Sequence, residues 1–343
     1  MKKLLTSNLA ATQLFRGAKV TETNKESIFS LLKKTQTLMP GDTLVITSAA
    51  DSLPLQDSLE RVQPASIQHG TESNSGSGVL AFLAIFGCVV GGPFLINWLW
   101  QKHLRNQAHK LAKSNFAQYD EWLSTYNSYY KSLAPDMRLR FMDRVTWFTT
   151  TKEFKCLDIP LDPKMPLLIS AASVQITFGL DKYLLDFFDT IYIMQHNYNY
   201  GLFAMPFEGH VNSNGIYLSW DNFLRGYEDY TDADNVGIHE MAHALAYVNF
   251  MAGDNKGQDD AFIKRFYNFS AVARPIFNDM QTGKTNFLNQ YAATNYNEFW
   301  AVAIETFFEQ SLRMKIALPG LYESICSLLN QDPLREDKLL TVV

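Results

Sequence analysis

The chain has 343 residues, 47% of them hydrophobic and 13% aromatic, which is enough to bury a sizeable core and excludes a disordered chain. A formal charge of −5 provides no broad positive field, so nucleic-acid binding is set aside. The three cysteines, Cys88, Cys156 and Cys326, are scattered and offer neither a disulfide framework nor a thiolate knuckle, so any metal must be held by histidine and carboxylate.

The first residues, Met1-Lys2-Lys3-Leu4-Leu5, start like a signal peptide, but Thr6, Ser7 and Asn8 interrupt the apolar stretch and cleaved secretion is not expected. Residues 1–78 read as a separate region whose role is not legible, with a helix expected at 25–38, a strand at 43–48 and a Ser/Gly linker at 73–78. Residues 79–100, VLAFLAIFGCVVGGPFLINWLW, carry no charge, and about 20 apolar residues suffice to cross a hydrocarbon core as a helix. A single transmembrane helix is expected there, with Trp98 and Trp100 at its interfacial end. Lys102, Arg105, Lys110 and Lys113 follow it and only Arg61 precedes it at a comparable distance, which predicts a cytoplasmic C-terminal part.

Beyond the span, residues 101–133 are rich in helix formers and free of glycine and proline, predicting one helix that runs up to Pro135. Further helices are expected at 137–154 and 166–178, and the β-branched and aromatic run 190–194 predicts a strand. Asn214-Gly215 between alternating apolar flanks signals a hairpin within 209–220. The fold class expected for residues 101–343 is α+β, mainly helical, with a small antiparallel sheet.

The strongest chemical signal is His239-Glu240-Met241-Ala242-His243, inside a stretch rich in alanine and leucine. On a helix, residues four apart share a face, so both imidazoles can reach one ion while Glu240, about 100° round, flanks it without ligating. Two imidazoles and a carboxylate suit zinc and leave a fourth position for water. The carboxylate is sought at the start of the apolar helix beginning near Glu298, with Glu305 two turns on as the competing ligand or as an acceptor behind one of the histidines. His196 and His210, in loop-like and hairpin sequence, read as surface residues. Phe299, Trp300, Phe307 and Phe308 recur at helical spacing and read as core.

The pair NVGIHEMAHAL (235–245) and YAATNYNEFWAVAIETFF (291–308) resembles the Mlc titration factor A family of zinc metallopeptidases, whose catalytic core is similar to that of anthrax lethal factor. The likeness extends over roughly residues 116–332. It implies a zincin-like fold, one zinc held by His239, His243 and Glu298, Glu240 as general base, and Tyr291 facing the reacting carbonyl. It also implies a peptide or protein substrate, and the strand at 215–220 reads either as plain core or as an edge that holds that substrate as an extended chain. Two positions depart from relatives: Ala246 stands where many have an acidic residue, leaving one ligand histidine without an assigned partner, and Tyr296 stands in place of proline. The alternative reading is a zincin-fold module that captures a regulatory protein partner without turnover.

Overall fold

The computed structural model describes residues 92–340, apart from 202–205, 254–255, 286 and 336–337. The elements expected at 25–38 and 43–48, and residues 79–91 of the expected membrane span, lie outside the described residues. Residues 92–100 open helix α1 (Gly92–Ser114), on which Phe94, Leu95, Ile96, Trp98, Leu99 and Trp100 are all exposed. Among the described residues no helix is long and apolar enough to cross a membrane.

The single helix expected over 101–133 is three: α1, α2 (Phe116–Tyr126) and α3 (Ser128–Lys131). Asn127 makes the second break because its side chain accepts the Tyr130 N–H at 2.7 Å, capping α3, while its amide donates to Gln175 at 2.9 Å. Helix α4 (Pro135–Thr151) stops short of the expected boundary, since the backbone becomes extended at Lys152 and enters a strand not anticipated from the sequence, β1 (Glu153–Leu157). Helix α5 (Lys164–Thr177) is buried from Leu167 onward, including the polar Ser170, Ser173, Gln175 and Thr177, in keeping with its largely apolar composition.

Four strands form one sheet in the order β1-β2-β4-β3, with β2 at Thr190–Met194, β3 at Gly209–Asn212 and β4 at Gly215–Ser219. The sheet is mixed rather than antiparallel. β1–β2 and β2–β4 pair parallel because long crossovers return the chain in the same direction, and only the Asn214-Gly215 hairpin reverses it to make β3–β4 antiparallel. On the inner face Ile191, Ile193, Ile216 and Leu218 have no exposed surface. Their alternates Tyr192, Tyr217 and His210 line up in register on the outer face, the first two rings 4.4 Å apart and the second two 4.3 Å apart.

His210 is therefore not the surface residue expected. Its ring is stacked on Tyr217, bonded to the Tyr198 hydroxyl at 2.8 Å and to the Asn212 amide at 3.1 Å, and burial pushes its pKa down to about 4. His196 does stand in the open, paired with Asp221. β4, the strand expected to hold substrate along an edge, is interior and paired on both sides, so it presents no free edge.

The rest of the chain is helical: α6 (Trp220–Arg225), α7 (Val236–Phe250), α8 (Asp260–Gln281), a 3₁₀ turn at Gln290–Ala293, α9 (Tyr296–Glu309), α10 (Ser311–Ala317) and α11 (Pro319–Leu329). Helix α7 is central, packing on α5, β3, β4 and α9. Its sequence is apolar nearly all round, and burial on several sides is what such a helix needs.

Candidate metal centre

The centre is built where α7 meets α9. Asn235 starts α7: its side chain accepts the Ile238 N–H at 3.0 Å, while its amide donates to the Gly226 carbonyl and to Glu309, each at 2.9 Å. A side chain at Gly237 would lie 2.6 Å from the Phe223 ring, so glycine there lets α6 close onto the first turn of α7. Asn295 starts α9 by accepting the N–H groups of Asn297 at 2.9 Å and Glu298 at 3.1 Å. The Trp300 indole then donates to the Ala242 carbonyl at 2.8 Å, tying α9 to the turn of α7 that separates the two histidines.

These anchors bring three donor atoms together. His239 Nε2 lies 3.0 Å from His243 Nε2 and 3.1 Å from Glu298 Oε2, and His243 Nε2 lies 3.5 Å from the same oxygen. Tetrahedral zinc with bonds of about 2.0–2.1 Å separates its ligand atoms by about 3.3 Å, so the triangle has the size of one face of such a site. His239, His243 and Glu298 could therefore hold a metal ion. Glu305 is outside the triangle. It accepts the His239 Nδ1–H with one oxygen and the Asn235 backbone N–H with the other, at 3.0 Å for the second, which leaves the Nε2 lone pair of His239 facing the cluster.

The electrostatics also favour a cation. Burial alone would push His239 down, but Glu305 and Glu298 outweigh it and hold the imidazole well above its ordinary pKa. Burial would likewise raise Glu298, yet His243 and His239 reverse the sign and keep its carboxyl far below the usual range. Two carboxylates around one imidazole thus create a demand for positive charge that a divalent ion meets. His243 Nδ1 is buried with no hydrogen-bond partner, in keeping with Ala246 standing where an acidic residue was expected.

Glu240 is buried at the edge of the triangle, its Oε2 also without a partner, and burial raises its pKa against the opposing pull of the two imidazoles. Tyr291, in the 3₁₀ turn, has its ring 6.0 Å from that of His239. Burial first, and then the charge of Glu298, to which its hydroxyl is hydrogen-bonded, hold its pKa far above the ordinary phenol value. All five residues singled out in the sequence are therefore brought together. Asn235, whose cap starts α7, was not singled out, although a capping residue three positions before Ile238 is a local signal; Trp300 was read only as core, and its indole bond to α7 was not foreseen.

A chain with this cluster matches a known family, the glucose-regulated metallopeptidases M90, over residues 100–329. It belongs to that family. The M90 match overlaps nearly all of the resemblance found in the sequence and begins nearer the N-terminus, taking in most of α1. The chain is also similar to an uncharacterized protein of Synechocystis sp., slr2042, at 24% identity over 223 residues, which is 60% of this chain and 81% of that one.

Proposed function

We propose that this M90 metallopeptidase is a zinc-dependent peptidase in which His239, His243 and Glu298 hold the ion. The observation that carries the reading is the triangle of three donors with the buried, half-unpartnered carboxylate of Glu240 beside it. Zinc bound by these residues would supply a Lewis acid that polarises the scissile carbonyl and lowers the pKa of water to roughly 7. Glu240 takes the proton of the attacking water and delivers it to the departing amine, a shuttle that suits a carboxyl whose pKa is already raised by burial. The Tyr291 hydroxyl donates to the oxygen on which charge develops. Glu305 holds His239 in the tautomer that presents Nε2.

The test is Glu240→Gln in the full chain, assayed for zinc content and for cleavage of a diverse peptide library. The variant is expected to keep one zinc per chain and to lose cleavage. A wild type that retains zinc and cleaves nothing would instead make the fold a module that captures a protein partner.

We also propose attachment to a membrane through residues 79–100, with the peptidase domain on the cytoplasmic side. The uncharged run, the exposed Trp98 and Trp100 on α1, and the four basic residues from Lys102 to Lys113 support it.

A further inference from the structure

Strand β3 lies between two environments. Its outer face carries His210, and its inner face carries Gly209. A side chain built at Gly209 would place its Cβ 2.6 Å from Glu240 Cγ, 2.8 Å from Oε1 and 2.9 Å from Cδ. Gly209 is not among the residues with positive φ, so the strand backbone there makes no demand for glycine. The three atoms nearest such a Cβ all belong to Glu240, so the demand comes from its side chain.

Which partner would yield to an added methyl follows from how each is held. Gly209 pairs with Leu218 and His210 with Tyr217 in the β3–β4 ladder. His210 is stacked on Tyr217 with the ring planes 9° apart, and hydrogen bonds to Tyr198 and Asn212 fix both of its nitrogens. The ladder continues through Tyr192 to Lys155, whose ammonium sits 5.8 Å above the Tyr192 ring. The strand is thus braced across the whole sheet, whereas Glu240 has one carboxyl oxygen with no partner to retain it. The carboxyl must move.

We propose that Gly209 is a positioning residue for the hydrolytic step: its missing side chain, on a strand braced by the His210 stack, sets where the Glu240 carboxyl stands against the metal cluster. This rests on the reading of Glu240 as general base. A misplacement of about 1 Å in a reacting group can cost on the order of 100-fold in rate.

Gly209→Ala is therefore expected to lower kcat about 100-fold, with KM within about twofold and zinc content unchanged. Stability gives a second readout that needs no activity: Gly209→Ala should lower the melting temperature in the wild type but not in a Glu240→Ala background, where the obstructing side chain is gone. If Gly209→Ala fails to fold, recovery of a folded, zinc-binding protein in the double variant carries the same conclusion, and failure there too would overturn it. A wild-type kcat in Gly209→Ala, or an equal loss of melting temperature in both backgrounds, would also overturn it. An active Glu240→Gln protein would instead overturn the general-base reading, so the two failures are distinguishable.

Discussion

Replacing Glu305 by glutamine probes the layer behind the metal cluster. Glu305 is 4% exposed, and both of its oxygens act as acceptors, one for the His239 Nδ1–H and one for the Asn235 N–H at 3.0 Å. Glutamine keeps the shape but replaces one acceptor by an NH₂ group, which must then face one of those two donors. A buried donor left unmet costs about 1–3 kcal/mol of folding stability. Weakening the acceptor behind a ligand imidazole lowers metal affinity about 10-fold to 100-fold, or about 1.4–2.7 kcal/mol. Glu298→Gln alters a proposed ligand itself and should lose more. Zinc affinity measured by competition with a chelating dye, alongside urea unfolding of the metal-free proteins, is expected to rank wild type above Glu305→Gln and that above Glu298→Gln. Wild-type affinity in Glu305→Gln, or a smaller loss in Glu298→Gln, would refute the division of labour between the two carboxylates.

Tyr291→Phe removes only the hydroxyl and should keep the fold and the zinc while lowering kcat about 100-fold to 1,000-fold, and a change confined to KM would move Tyr291 to the substrate groove. Glu309 has its carboxyl pushed up to about 8, chiefly by burial, against the hydrogen bond from Asn235 and with the charge of Glu305 adding to the rise. Its neutral form therefore favours the fold: that contribution is full below about 4.5 and is lost as pH rises through about 8. Urea midpoints should accordingly show Glu309→Gln equal to wild type at about pH 4 and more stable than it at about pH 9. Reporter fusions at the two termini test the proposed topology, and a reporter for the far side of the membrane that is active at Val343 and silent at Met1 would reverse it.

The site was more legible than the fold around it, and the difference is physical. His239 and His243 lie one helical turn apart, so their convergence is a local matter that spacing reports directly. Glu298 against Glu305 is not local. Both lie on one face of α9, and which of them stands beside the Nε2 atoms of the two histidines depends on how α9 docks on α7, where the Trp300 indole meets the Ala242 carbonyl, a tertiary contact without a sequence signature. The sheet was misread for a similar reason: the hairpin turn is visible in Asn214-Gly215, but parallel pairing of β1 to β2 is set by a crossover through α5, and β1 itself was absorbed into the preceding helical pattern. His210 looked like a surface histidine because no neighbour in sequence reveals that Tyr217 will lie beneath it across the ladder.

Glu298 and His239 are 59 residues apart in the chain, with α8 and a 3₁₀ turn between them. A nascent chain that has emerged only as far as α8 has two imidazoles and no carboxylate to complete the triangle, and closing so long a loop waits on the docking of α9 through Trp300. Under the proposed ligand set, metal capture therefore comes late in folding. A chain that has emerged only as far as α8 would lack the third ligand, and with it the hydrolytic centre, until α9 is seated.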